Sequence, residues 1–313
     1  MPARQLPLRL LEPVRDALRA GRPVVALESS VLAQGLPIPA NRDAATRMSR
    51  AIASRGAVSA IAAVVRGVPT LGLDNDELER FLRRDGVRKV SARDLAPAMA
   101  DGADGATTVA GALALVALAG IRVFATGGIG GVHHEPDHDE SADLAELARA
   151  PVVVVCAGAK AILDLPATLE RLDSYGVTVV GYRTSTMPGF FTADTGLPLP
   201  ARADTAAEIA AIFRASLALG RPGAVLVMQP PPAAAALPSA EVKRAVNEAR
   251  AAARAGGVRG ADVTPYLLAA VDAATGGRSL VANLALLEEN AALAAEIAKA
   301  LVEVELHHDR MVQ

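Results

Sequence analysis

The feature that most constrains this chain is an alternation. Short apolar runs of strand type, at residues 24–27, 60–65, 87–90, 122–125, 152–156, 177–181 and 224–228, are separated by segments of helical period. Those segments fall at 42–54, 75–84, 141–149, 167–175 and 205–219. A run apolar on both faces suits a strand covered on both faces, and strands that alternate with helices pair in parallel. The spacing therefore predicts a three-layer α/β/α fold around a central sheet that is largely parallel or mixed. Residues 240–301 carry no strand signal and are expected to pack as helices on that core. The Pro/Ala-rich stretch 228–241 reads as a connection, so all 313 residues are expected to form a single domain. Start signals agree: Ser91 with Asp94 resembles a capping box, and Thr264-Pro265 looks like an N-cap followed by a first-turn proline.

Composition excludes several function classes. A net charge of −2 with mixed signs gives no surface for nucleic acid or anionic membranes. Aromatic residues are 3% and tryptophan is absent, so base-stacking platforms are not expected. The longest apolar run, 109–121, is too short to span a bilayer and reads as a buried helix. One cysteine, Cys156, allows no internal disulfide and fits a reducing cytoplasm; its place in a valine run suits a small core residue. The N-terminal stretch lacks a secretory apolar region.

In parallel sheets ligands bind at the carboxyl ends of the strands. Glu28 ends the run "VVAL", where a carboxylate can serve as a general acid or can pair with an arginine. Lys89, in "VRKVSARD", lies between a strand and a helix start; it is either a strand-end surface charge or a phosphate contact. "TGGIGG", 126–131, follows a strand and is either a tight turn or a close approach to substrate or phosphate. It is not a dinucleotide fingerprint, because His133 stands where the third glycine would be. The next loop, 132–143, crowds histidines and carboxylates together. It is either a solvated cap on the next helix or a seat for a hard cation such as Mg²⁺ or Mn²⁺, and its spacing matches no zinc signature. Lys160 follows "VVVVCAGA" and precedes Ala161, Ile162 and Leu163. Either its ammonium snorkels to water, or it is a desolvated amine able to attack a carbonyl carbon.

Together these stretches resemble the pseudouridine-5'-phosphate glycosidases, or indigoidine synthase A-like family. "FATGGIGGVH", "SADL" and "CAGAK" at these spacings carry the likeness, and "PVVALES", "KVSARDL", "GATTVA", "TPYLL" and the stretch around Asn283 extend it along most of the chain. The resemblance implies cleavage of the C–C glycosidic bond of pseudouridine 5'-phosphate to uracil and ribose 5-phosphate. It implies Lys160 as the nucleophile at C1', with ring opening and an imine, and Glu28 as proton donor or acceptor. It further implies Asp139 as ligand to one Mn²⁺, and Lys89, Val109, Ser141, Ala142, Asp143 and Asn283 as substrate contacts, with Lys89 suited to the phosphate and Asn283 to the uracil edge. A homotrimer is implied as well. Ser30 and Gln34 depart from the threonine and histidine expected in relatives, and a short loop leaves Asp137 and His138 as alternatives to Asp139. Two other functions compete: a Schiff-base aldolase on a sugar phosphate, and a non-catalytic accessory protein.

Overall fold

The computed structural model describes residues 8–136, 138–260 and 263–312, with side chains in the last stretch described through Glu303. The strands are β1 (Arg9–Leu10), β2 (Val24–Leu27), β3 (Val58–Val65), β4 (Val68–Leu71), β5 (Arg88–Val90), β6 (Gly105–Thr107), β7 (Val123–Ala125), β8 (Val153–Cys156), β9 (Thr178–Tyr182), β10 (Arg202–Ala203) and β11 (Val225–Met228). The helices are α1 (Glu12–Arg19), α2 (Ala40–Ala53), α3 (Asn75–Arg83), α4 (Leu95–Ala100), α5 (Val109–Leu118), α6 (Ala142–Leu147), α7 (Leu165–Ser174), α8 (Ala206–Ala218), α9 (Ser239–Ala255), α10 (Val263–Ala274) and α11 (Arg278–Val312).

The sheet order is β1-β4-β3-β2-β7-β8-β11-β9-β10, with β6 branching from β3 and β5 from β6. From β3 to β10 every pairing is parallel. The reason is burial: β2, β8 and β11 are buried along their whole length, as their continuous valine and leucine runs require. Helices α2, α8 and α11 pack together on one face, while α5 and α6 pack together on the other. This is the expected three-layer arrangement, and among the described residues no helix is long and apolar enough to cross a membrane.

β3 changes partners along its length. Its first half pairs in parallel with β2 through Val58–Ile61 partners, and its second half turns to antiparallel partners on both edges, β4 and β6. Ser29 stitches the junction: its Oγ donates to Ala62 O at 2.7 Å and accepts from Thr107 N–H at 2.9 Å. β2 therefore ends where β6 begins to pair with β3. A gap opens at the carboxyl end of β2, and β5 brings its own residues to the gap from the opposite strand sense.

Two expectations about helix starts resolve differently. The Ser91/Asp94 capping box is present and opens a 3₁₀ turn ahead of α4. α10 begins at Val263, so Thr264 and Pro265 fall within its first turn rather than at its cap.

Candidate active site

A cavity of about 620 Å³ lies over the carboxyl ends of β2, β7 and β8. Its lining includes Glu28, Lys89, Val109, Asp139, Ser141, Asp143, Lys160 and Asn283. Strand β5, helices α5, α6 and α11, and the loops after β2, β7 and β8 thus bring together the expected residues, with one exception. Ala142, the first residue of α6, is exposed and is not part of the lining. It lies between two residues that do line the cavity, and its methyl group presents no polar atom to a ligand.

Glu28 is 5% exposed and fully held. Thr126 Oγ1 donates to its Oε1 and Ser30 Oγ to its Oε2, each at 2.6 Å. Short bonds to a carboxylate are the strong kind, and two of them from opposite sides fix its rotamer. The departure at Ser30 therefore preserves the hydroxyl that touches Glu28. Gln34, the other departure, also lines the cavity; its Nε2 points at Val87 O at 3.4 Å, and its buried Oε1 has no partner.

Asp143 is also 5% exposed. Its Oδ1 accepts the Ala110 amide at 2.9 Å and its Oδ2 the Gly130 amide at 2.8 Å. It thereby ties the first turn of α5 to the glycine turn. Gly130 must lack a side chain here, because a Cβ would strike Ser141 and lie 2.9 Å from Asp143 Oδ2. The glycine turn is thus a close approach, but the group approached is the protein's own carboxylate. Gly128 has a similar reason: its Cβ would come within 2.6 Å of the Phe190 ring. Phe190 itself adopts φ 65°, a rare conformation for a bulky residue, and lines the cavity.

The amines contrast with the carboxylates. Lys160 is anchored only through its backbone, with its N–H donating to Ile129 O at 3.1 Å and its carbonyl accepting from Leu163 at 3.0 Å. Its side chain is half-buried and makes no hydrogen bond or ion pair among the described residues. Lys89 is likewise unpaired. Its pKa is pushed down from the ordinary lysine value, first by loss of hydration in the cleft and then by repulsion from Lys160, with Glu28 and Asp143 opposing. Lys89 still exposes surface to the cleft mouth. Val109 opens α5, so its amide is among the donors that no intrahelical carbonyl satisfies. Lys89 pairs with Ala106 in register, two residues before the Thr108 cap of that helix. A lysine and a helix N-terminus therefore flank one end of the cavity, a combination suited to phosphate.

Asp139 and His133 lie at the rim. His133 is pushed below the usual histidine range by burial, with Lys160 and Lys89 adding to the effect and Asp139 opposing it. The loop that carries them is tethered on three sides: Glu135 pairs with Arg254 at 2.8 Å, His134 with Asp164 at 3.4 Å, and Glu140 with Arg171. Asp137 lies outside the described residues, and His138 is exposed and absent from the lining. Among the described residues no three His, Cys, Asp or Glu side chains converge as a metal cluster. Cys156, buried beside the site, has its thiol pushed up to about 12 by burial and belongs to the core.

Thr126, flagged only as the start of the glycine turn, and Arg93, quoted only within "KVSARDL", line the cavity together with Phe190. What the sequence does not give is what Thr126 does, which is to hold Glu28, or the place of Arg93 and Phe190 in the lining.

Fold and cleft define an α/β protein whose unpaired lysine amines face a site built for a small anionic ligand. The chain belongs to the indigoidine synthase A-like family, whose model matches residues 13–300. It is 62% identical over 300 residues to a protein of Gemmatimonas aurantiaca named pseudouridine-5'-phosphate glycosidase, covering 94% of this chain and 98% of that one. It is 50% identical to one of the same name from Chloroflexus aurantiacus, covering 95% and 99%. Among solved structures, the prealnumycin C-glycosynthase AlnA in complex with ribulose 5-phosphate superposes with a TM-score of 0.89 at 37% identity, covering 97% of this chain and 99% of that one. An indigoidine synthase A-like protein from Thermotoga maritima gives 0.85 at 34%, covering 94% and 96%.

Proposed function

We propose that this chain is an enzyme that reversibly cleaves the C–C glycosidic bond of pseudouridine 5'-phosphate, with water, to uracil and ribose 5-phosphate. The observation that carries the reading is the convergence of Lys160, Glu28 and Lys89 on one cavity. It does so in a chain whose curated relatives bear that activity's name over nearly their full length. The solved neighbour, a C-glycosynthase in complex with ribulose 5-phosphate, supports a sugar-phosphate site.

The chemistry assigns the groups. A C-glycoside has no leaving heteroatom at the base, so the paired-carboxylate route of ordinary glycosidases is unavailable. Lys160 Nζ, unprotonated, forms a bond to C1' as the C1'–O4' bond breaks, and a proton goes to O4'. The nitrogen lone pair then expels uracil as its C5 takes a proton, which breaks the C1'–C5 bond and leaves an imine on Lys160. Water hydrolyses the imine to the aldehyde of ribose 5-phosphate and returns the amine. Glu28 is the proton carrier for O4' and for uracil. Lys89 and the Val109 amide hold the phosphate; the next two amides of α5 are taken by Asp143 and by the Thr108 cap. Asn283, whose buried Oδ1 has no partner, is an acceptor for a ring N–H of uracil, a feature a simple aldolase would not need.

A Mn²⁺ ion belongs to the same proposal. Asp139 lines the cavity, whereas Asp143 has both oxygens committed to backbone amides. One available carboxylate fits a hard ion that keeps most of its waters, rather than a closed protein cage. When bound, such an ion would orient substrate oxygens through its waters, beside Ser141. A homotrimer is proposed with it, and analytical ultracentrifugation would test that assembly.

The test is to incubate the protein with pseudouridine 5'-phosphate and Mn²⁺ and to follow free uracil by chromatography, with Lys160→Ala in parallel. Uracil from the parent protein and none from the variant is expected. Equal release from both would exclude Lys160 as nucleophile, and release from neither would exclude the reaction.

A further inference from the structure

α11 reaches the glycine turn with two asparagines, Asn283 and Asn290, at i and i+7, which places both on one face of the helix. Asn283 has a role in the reaction proposed above; Asn290 has none. Yet Asn290 is 1% exposed, and its Nδ2 donates to Thr126 O at 2.9 Å and more weakly to Gly127 O at 3.4 Å. A buried amide is costly unless it is bonded, so its presence in an otherwise alanine- and leucine-rich stretch of α11 calls for a reason. Thr126 supplies it. That residue continues from β7, where its N–H donates to Val155 O at 3.0 Å, and its Oγ1 donates to Glu28 Oε1 at 2.6 Å.

We infer that Asn290 is a positioning residue for the reaction: it pins the Thr126 carbonyl to α11 and so aims the Thr126 hydroxyl at Glu28. Three supports then fix the carboxylate's surroundings. The sheet holds the Thr126 N–H, α11 holds its carbonyl, and the hydroxyl holds Glu28. Asn290 touches neither the cavity nor Glu28; it is not among the lining residues, so its effect must pass through Thr126. The same bond keeps α11 seated on the turn, which places Asn283 beside Gly127, where a Cβ would lie 3.4 Å from Asn283 Oδ1.

The inference rests on the proposed reaction, and a double-mutant cycle on uracil release tests it. Asn290→Leu keeps the size and removes the donor; Thr126→Val removes the hydroxyl. Asn290→Leu is expected to lower kcat roughly tenfold with KM nearly unchanged. The double variant should be about as slow as the slower single one, because both changes act on one linkage. Effects on kcat that simply multiply, or an unchanged kcat in Asn290→Leu, would overturn the inference. Should Asn290→Leu not fold, Asn290→Ala replaces it; failure of both to fold would also overturn it, since the residue would then serve stability. If the parent protein releases no uracil, the reaction is wrong, and amide hydrogen exchange decides the pin itself. Faster exchange confined to residues 126–131 in Asn290→Leu supports it, and unchanged exchange overturns it.

Discussion

The two kinds of charged group in the cleft are held in opposite ways. The carboxylates Glu28 and Asp143 have every oxygen occupied by short bonds from hydroxyls or backbone amides. The amines of Lys160 and Lys89 are left without partners, facing the same space. Burying a charge without a partner costs the fold, whereas a carboxylate with two donors is close to satisfied. The difference separates side chains fixed in one position from side chains left free to meet a ligand. Asp143, expected as a substrate contact, lines the cavity but is fixed like the proton carrier Glu28, whereas Lys160 and Lys89 are not.

Breaking the ligand side should hurt activity without hurting the fold. Lys160→Ala is expected to remove at least about 10⁴-fold in kcat, the scale of losing a nucleophile, while Tm stays within a degree or two. Breaking the scaffold side should do the reverse in proportion. Asp143→Ala leaves the Ala110 and Gly130 amides buried without acceptors, at roughly 1–3 kcal/mol each. A fall of several degrees in Tm by calorimetry is expected, with Asp143→Asn milder because one acceptor remains. Thr126→Val and Ser30→Ala each remove one bond to Glu28 and should lower kcat about 10- to 100-fold, the scale of a hydrogen bond to a charged group.

The smallest effect sharpens the contrast most. The folded protein holds the Lys89 proton less tightly than the unfolded chain does, because burial and Lys160 depress its pKa. The unfolded chain therefore binds more protons as pH rises toward the ordinary lysine range, and stability from this group rises with pH there. At neutral pH the charge is a net cost. Lys89→Met should thus raise Tm slightly at neutral pH, with the gain shrinking at high pH. It should also raise KM for the phosphorylated substrate by about tenfold or more, the scale of a charged hydrogen bond. A lower Tm would mean that Lys89 is paired after all.

How much of this was legible in the sequence follows the same physics. The interior strands β2, β8, β9 and β11 were readable because burial on both faces demands unbroken apolar runs. β1 and β10, at two residues each, are too short to leave a period. β4 hides behind Pro69, which argues against a strand in the sheet interior. Pro69 is tolerated because β1 pairs with β4 only at Thr70 and Leu71, which leaves the proline beside no donor-demanding neighbour on that edge. β6, with Gly105 in a crowded spot against Val90, carries too little side chain to announce itself.

The site divides along similar lines. Lys160, Glu28 and Lys89 stood out because charge at a strand end is unusual. The resemblance supplied Asp139, Asn283, Val109 and the Ser141–Asp143 stretch, and all but Ala142 line the cavity. The Asp143 bracket could not be read, since its partners are backbone amides, which carry no residue identity. Asn290, and what Thr126 does, were hidden for another reason. Their meaning lies in a contact between residues 164 positions apart.

The central claim is that the unpartnered Lys160 amine reacts covalently with the sugar. The most direct measurement is mass spectrometry of the protein after borohydride treatment with ribose 5-phosphate, followed by peptide mapping. The account predicts a single reduced ribose 5-phosphate adduct on Lys160, none on Lys89, and none at all in Lys160→Ala. No adduct in the parent protein, or an adduct on Lys89 in its place, would contradict it.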